Sequence, residues 1–167
     1  MALTRVTLQE LQHVLLKVIG AARYSRPTTG AIFQLLYDTG LRVREVLEVE
    51  RWNANDDDTY TVQLEKQEGT RIIQVNDVPG LIEQRYADNT PFTMETYSAV
   101  NNMFKRYAPG LLFGNDVRRT TCHAFRYQFM KQLSENGMST AQIAETMGHV
   151  NLANTARYIT DEIWLGS

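Results

Sequence analysis

The sequence predicts an α+β domain, mainly α-helical with one small antiparallel β-hairpin or sheet. Three observations carry that prediction. Apolar residues recur at helical spacing over most of the chain, these runs are bounded by capping residues and by Gly or Pro breakers, and a period-two alternation marks residues 60–65, with a returning run at 71–75. With 167 residues, 43% of them hydrophobic and 22% charged, the chain is expected to form one domain, 1–167, that can bury a core.

Taken in order, Thr7 and Glu10 are spaced as a capping box ahead of Leu8, Leu11, Leu15, Val18 and Ile19, which predicts a helix ending at Gly20. Residues 21–27 read as a linker. Thr28 or Thr29 caps a second helix through Ile32, Phe33, Leu35, Leu36 and Tyr37 to Gly40. Residues 41–49 make a short helix with Val43, Val46 and Leu47 inward, which leaves Arg42 and Glu45 three apart on one side. Residues 53–58 are a turn. Tyr60, Val62 and Leu64 alternate with polar residues, and residues 71–75 return beyond Gly69, so a β-hairpin is expected with Lys66 at its tip. Val78-Pro79-Gly80 breaks the chain before a short helix over 81–86. Thr93 is expected to cap a longer helix to Tyr107 that buries Met94, Tyr97, Val100, Met103 and Phe104, and Pro109-Gly110 ends it. Leu111, Leu112 and Phe113 anchor a loop leading through Arg118 and Arg119.

The densest chemistry lies between Thr121 and Tyr158. Thr121 caps a helix to Glu135, Asn136-Gly137 ends it, and Ser139 with Gln142 forms a second capping box for a helix that stops at Gly148. His149 therefore sits on a corner just past a helix end. His123 and Arg126, three apart near a helix start, project from one face close to backbone N–H groups that favour an anion, a phosphate-binding geometry. Tyr158 follows His149 by nine residues, after a short helix that Asn151 or Asn154 caps, and carries the obvious oxygen nucleophile of the group.

Charge gives a divided answer. The net charge of −2 argues against a nucleic-acid partner, because affinity for DNA comes largely from Lys and Arg on phosphates. Its distribution argues the other way. Residues 101–131 hold six basic side chains, Lys105, Arg106, Arg118, Arg119, Arg126 and Lys131, against the single acid Asp116, whereas residues 45–68 hold eight acids against Arg51 and Lys66. One cysteine, Cys122, excludes an internal disulfide and a cysteine-based metal cluster, and it reads as a small core residue. No segment approaches the ~18 consecutive apolar residues of a membrane span and no signal peptide is visible, so a cytoplasmic protein is expected. Beyond Tyr158, Ile163, Trp164 and Leu165 form an apolar knot that either folds back or docks on a neighbouring subunit.

The order His123-x-x-Arg126, then Gly148-His149, then Tyr158 resembles the C-terminal signature of tyrosine site-specific recombinases, the phage integrase family. The string Thr39-Gly40-Leu41-Arg42-Val43-Arg44-Glu45 resembles that family's first motif. The resemblance covers about Thr7 to Tyr158. It implies a tyrosine-recombinase catalytic-domain fold, with Arg42 and Arg126 clamping a phosphodiester, His123 and His149 assisting as acid, base or hydrogen-bond donors, and Tyr158 as nucleophile. Glu45 supports the site. Lys66 protonates the leaving 5′ oxygen, with Arg71 as the fallback basic residue. Lys105, Arg106, Arg118, Arg119 and Lys131 are the expected contacts to double-stranded DNA. The resemblance further implies a 3′-phosphotyrosyl intermediate without metal or other cofactor, and a tetramer on DNA to which Ile163, Trp164 and Leu165 contribute. The alternative is a noncatalytic regulator, since residues 139–148 and the next helix also resemble a helix-turn-helix. The sequence departs from the family pattern at Tyr127, Gln128 and Met147, and the hairpin tip is acidic. It starts where the family's catalytic domain starts, so the N-terminal core-binding domain is expected to be absent.

Overall fold

The computed structural model describes residues 3–67, 69–113, 118–119, 121–149 and 151–166, with Gln67, Phe113, Arg118 and Arg119 described in backbone only. The fold opens with strand β1 (Leu3–Val6) and helix α1 (Leu8–Ser25). The Thr7–Glu10 capping box is formed. The helix does not stop at Gly20, however. Ala22 continues the buried stripe of Leu11, Leu15, Val18 and Ile19, and that packing outweighs the roughly 1 kcal/mol that a mid-helix glycine costs. The expected linker is therefore the last turn of α1. Helix α2 (Pro27–Thr39) starts at Pro27, whose missing N–H costs nothing in a first turn, and Thr29 is buried instead of capping.

Helix α3 (Val43–Leu47) is shorter than expected and runs into a single 3-10 turn, Val49–Arg51. Strands β2 (Trp52–Ala54), β3 (Thr59–Gln63) and β4 (Thr70–Gln74) then form an antiparallel sheet in the order β2-β3-β4. The expected hairpin is its second half. Tyr60, Val62 and Leu64 face inward as the alternation requires. Trp52 lies in no alternating or helical pattern of the sequence. It stacks on Tyr86 at 3.9 Å between centroids and meets Tyr60 edge-on, which fastens the sheet to helix α4 (Gly80–Asp88).

Helix α5 (Tyr97–Tyr107) begins three residues later than expected. The Thr96 hydroxyl, not Thr93, accepts from the Ala99 N–H, and Met94 and Tyr97 are exposed. Either threonine leaves Val100 and Phe104 on the same buried face, so periodicity could not choose between them. Strands β5 (Leu111–Phe113) and β6 (Arg118–Arg119) pair as a hairpin. Helices α6 (His123–Glu135), α7 (Thr140–Met147) and α8 (Leu152–Thr160) follow, and strand β7 (Ile163–Gly166) closes the second sheet, whose order is β1-β7-β5-β6. The apolar knot therefore folds back within the chain, where Ile163, Trp164 and Leu165 pair with both β1 and β5.

The core lies where α2 meets α1, α3, α4 and α6. Phe33 of α2 touches both Phe104 of α5 and Phe125 of α6, so three helices share one aromatic cluster. Each such ring stabilises the fold by about 1.5–3 kcal/mol through burial. A smaller cluster, Met130, Ile143 and Met147, seats α7 on α6. Cys122 is buried, as its composition reading expected. Among the described residues no helix is long and apolar enough to cross a membrane.

Candidate active site

Six of the expected residues line one basin of about 450 Å3: Arg42, Lys66, His123, Arg126, His149 and Tyr158. They come from several segments of the chain, with only His123 and Arg126 sharing a helix, so the basin is made by packing. Its floor is set by one turn. Gly40 closes α2 with φ +68, and a Cβ there would lie 2.5 Å from Phe129 Cδ1, so glycine is required both for the backbone and for the space. That turn aims the Gly40 carbonyl at Arg126, whose Nη1 donates to it at 2.6 Å. Two residues on, the chain delivers Arg42. A single turn thus positions both guanidiniums.

Glu45 is fully buried and orders the other half of the floor. Its Oε1 accepts from the Arg42 backbone N–H at 2.8 Å, and Oε2 faces Arg42 Nη1 at 3.3 Å. The same Oε2 accepts from the Glu65 N–H at 2.9 Å, at the base of the β3–β4 turn. Lys66 follows immediately with φ +58, the left-handed conformation of a tight tip, and lines the basin from above. Arg71, the fallback cation, is placed differently. It lies behind the basin, where Nη1 donates to the Thr39 carbonyl at 2.6 Å and the guanidinium stands over Phe129. Burial, and then repulsion from Arg126, lower its pKa to about 10, partly opposed by Glu45.

Helix α6 carries His123 in its first turn and the buried Arg126 in its second. Cys122, not the expected Thr121, stands at the N-cap, and no side chain caps the helix; the Thr121 hydroxyl accepts from the His123 N–H at 3.4 Å and Asn101 Oδ1 accepts from the Cys122 N–H. His123 keeps part of its ring in solvent. Desolvation, together with the charges of Arg126, Arg42 and Lys66, lowers its pKa to about 4, and for an exposed ring the three cations are the cause that the geometry supports best. The imidazole is neutral at neutral pH.

Gly148 ends α7 with φ +73 and turns His149 into the basin. Its Nε2 lies 2.6 Å from Arg126 Nη2 and its Nδ1 lies 2.7 Å from Thr155 Oγ1. The Asn151 side chain caps α8 at Ala153, which carries Tyr158 to the same place. Around the Tyr158 ring stand His149 at 6.0 Å and His123 at 6.2 Å between centroids, with the Arg126 guanidinium carbon 5.6 Å from the ring centre. Two arginines, a lysine and two imidazoles therefore converge beside one phenol. This is an arrangement for binding a tetrahedral anion next to an oxygen nucleophile, with proton donors and acceptors at hand.

Several contributors escaped the sequence reading. Arg44 lies over the Tyr97 ring at 4.3 Å, and both line the basin, Tyr97 having been expected in the core. Asn154 and Arg157 line it too, and Asn154 was findable because it precedes Tyr158 by four residues on one helix. Tyr127, where the sequence departs from the family pattern, packs its ring 4.7 Å from that of Tyr158 and donates its hydroxyl to Asp161 at 2.9 Å. Burial and the Asp161 carboxylate push the Tyr127 phenol up. Of the expected DNA contacts, Lys105 and Arg106 are exposed on the last turn of α5, outside the basin lining, and the side chains of Arg118 and Arg119 fall outside the described residues. Lys131 has another task. Its Nζ donates to the carbonyls of Ile159 (2.9 Å) and Asp161 at the C-terminus of α8.

A family model described as the phage integrase family matches residues 11–162. The chain is 27% identical over 142 residues to the tyrosine recombinase XerD of Chlorobaculum tepidum, covering 77% of this chain and 47% of that protein. It is 26% identical over 144 residues to XerD of Staphylococcus haemolyticus, with 76% and 48% covered. The chain spans about half the length of these curated relatives. Among solved structures, a lambda integrase dimer bound to a COC′ core site aligns with a TM-score of 0.63 at 16% identity, over 93% of this chain and 47% of that one. The XerA recombinase aligns with a TM-score of 0.59 at 20% identity, over 89% and 57%.

Proposed function

The chain belongs to the phage integrase family, and from that premise we propose that it is the strand-breaking and rejoining domain of a site-specific DNA recombinase. The observation that carries the reading is that Arg42 and Arg126 share a basin with Tyr158, although 84 residues separate the two arginines in sequence. A phosphodiester is anionic and resists nucleophiles, so fixed cations on its nonbridging oxygens supply most of the needed stabilisation. Arg42 and Arg126 would clamp those oxygens as planar guanidiniums do. The Tyr158 oxygen attacks phosphorus and its phenolic proton passes to a neighbouring base. The P–O5′ bond breaks, and Lys66 gives a proton to the departing 5′ oxygen. The 3′-phosphotyrosyl link conserves the bond energy, and a 5′ hydroxyl of another strand attacks it to rejoin the DNA. His123, whose pKa is lowered, and His149 serve as hydrogen-bonding and proton-accepting groups beside the phosphate.

Double-stranded DNA is the proposed partner, with Lys105 and Arg106, which lie outside the basin, and Arg118 and Arg119 as phosphate contacts. The similar solved structures include a lambda integrase dimer bound to a COC′ core site, which supports this. Recombination on two duplexes calls for a tetramer, to which Ile163, Trp164 and Leu165 would contribute once released from β1 and β5. A noncatalytic regulator is the poorer reading, because it leaves the convergence of Arg42, Lys66 and Tyr158 without purpose.

The test is incubation with a pool of nicked duplexes carrying randomised core sequences, so that cleavage releases a short strand and traps the protein on DNA. A denaturation-resistant adduct that disappears in Tyr158→Phe is expected. Retention of duplex with no adduct under any sequence overturns the enzyme reading in favour of the regulator.

A further inference from the structure

Thr155 is fully buried on α8, three residues before Tyr158, and does not line the basin. Its Oγ1 lies 2.7 Å from His149 Nδ1, while Arg126 Nη2 lies 2.6 Å from the other ring nitrogen, Nε2. The two contacts together decide where the imidazole proton is. A guanidinium has only donors, so Nε2 must present its lone pair to Arg126. A neutral ring then carries its hydrogen on Nδ1, and the threonine hydroxyl, which can donate or accept, is left as acceptor. The opposite tautomer would set two N–H groups against each other at 2.6 Å.

We infer that Thr155 is a positioning residue for His149: it receives the Nδ1–H and so holds the ring as the tautomer whose Nε2 lone pair faces the basin. Arg126 selects the tautomer and Thr155 keeps the ring in that orientation. Without an acceptor the Nδ1–H would be buried and unsatisfied, and the ring would turn to find one. The chemical consequence rests on the strand-transfer reading above. When a phosphate draws Arg126 Nη2 toward itself, the Nε2 lone pair becomes free to take the phenolic proton of Tyr158. The O–H bond of Tyr158 breaks, an N–H bond forms at Nε2, and the phenolate pair goes to phosphorus. Throughout, Thr155 Oγ1 goes on accepting from Nδ1–H, so the imidazolium forms without ring rotation. This is the same division of labour by which an oriented imidazole serves as base in hydrolases, with a neutral hydroxyl in place of a carboxylate.

The tautomer can be measured on the free protein without any DNA. Nitrogen-15 NMR of the imidazoles, with His149 assigned by comparison with His149→Asn, is expected to show a protonated Nδ1 and an unprotonated Nε2 at neutral pH, and the Nδ1–H should exchange slowly with water. Thr155→Ser should keep that resonance. Thr155→Val, equal in shape, should lose it by at least tenfold faster exchange while the protein stays folded, and Thr155→Ala replaces it if the valine protein does not fold. A proton found on Nε2 in the parent protein overturns the inference, as does a slowly exchanging Nδ1–H in the folded valine or alanine variant. Neither result bears on whether the trapped adduct forms, and absence of that adduct leaves the tautomer assignment standing.

Discussion

The carbonyl of Gly40 and the guanidinium of Arg126 are joined at 2.6 Å, so the left-handed turn that ends α2 also seats a buried arginine that belongs to α6. Gly40→Ala should therefore damage fold and site together. The added methyl meets Phe129 at 2.5 Å and the backbone must hold φ +68 with a Cβ present. Crowding and the left-handed penalty together amount to about 2–4 kcal/mol, which denaturant unfolding measures. A variant as stable as the parent sinks this account of the turn.

Glu45 links Arg42 to the base of the hairpin that carries Lys66. Replacing it with Ala removes a partner of a mostly buried arginine and leaves the Glu65 N–H without this acceptor. A loss of about 3 kcal/mol in stability is expected, and trapping of the DNA adduct should fall even where the protein stays folded. Glu45→Gln keeps the shape and one acceptor oxygen, so it should recover most of the stability and little of the adduct. Equal effects of the two substitutions would argue that only volume matters at this position.

His123 provides the pH dependence. Its pKa is about 4 in the folded protein against an ordinary 6.5, so between those values the unfolded chain holds more protons than the native one. Stability rises with pH wherever that is so. The His123 contribution is therefore fully present above pH 6.5 and is lost as pH falls toward 4, below which it changes no further. Thermal melting compared at pH 7 and pH 5 should show a smaller acid-induced drop for His123→Gln than for the parent. An unchanged drop contradicts the neutral, cation-surrounded imidazole.

Helix α8 is strapped to α6 by two side chains one turn apart, Tyr127 through Asp161 and Lys131 through the last carbonyls of α8. Tyr127→Phe removes one donor from a carboxylate that also meets Arg157 at 3.6 Å. A cost of about 1–2 kcal/mol is expected, and amide exchange should quicken in α8, around Tyr158, before it quickens in α2. Uniform acceleration across the chain would mean that the strap has no local role.

Much was legible in the sequence because it depends on residues close together in the chain. The capping boxes of α1 and α7, the glycine ends of α2 and α7, the inward Tyr60, Val62 and Leu64, and the fold class itself follow from local spacing and backbone preference. The identity of the basin residues was legible through the order in which they resemble a family pattern, not through any physical signal in single residues. Other features needed the folded chain. Gly20 inside α1, Trp52 against Tyr86, the pairing of β7 with both β1 and β5, and the commitment of Lys131 to a helix end all involve partners far away in sequence. So does the bond from Thr155 to His149, which spans only six residues yet acquires its meaning from Arg126. Local sequence determines which conformation each segment prefers. Which side chains meet, and therefore which proton sits on which nitrogen, is decided only when burial forces distant segments into contact and every enclosed donor must find an acceptor.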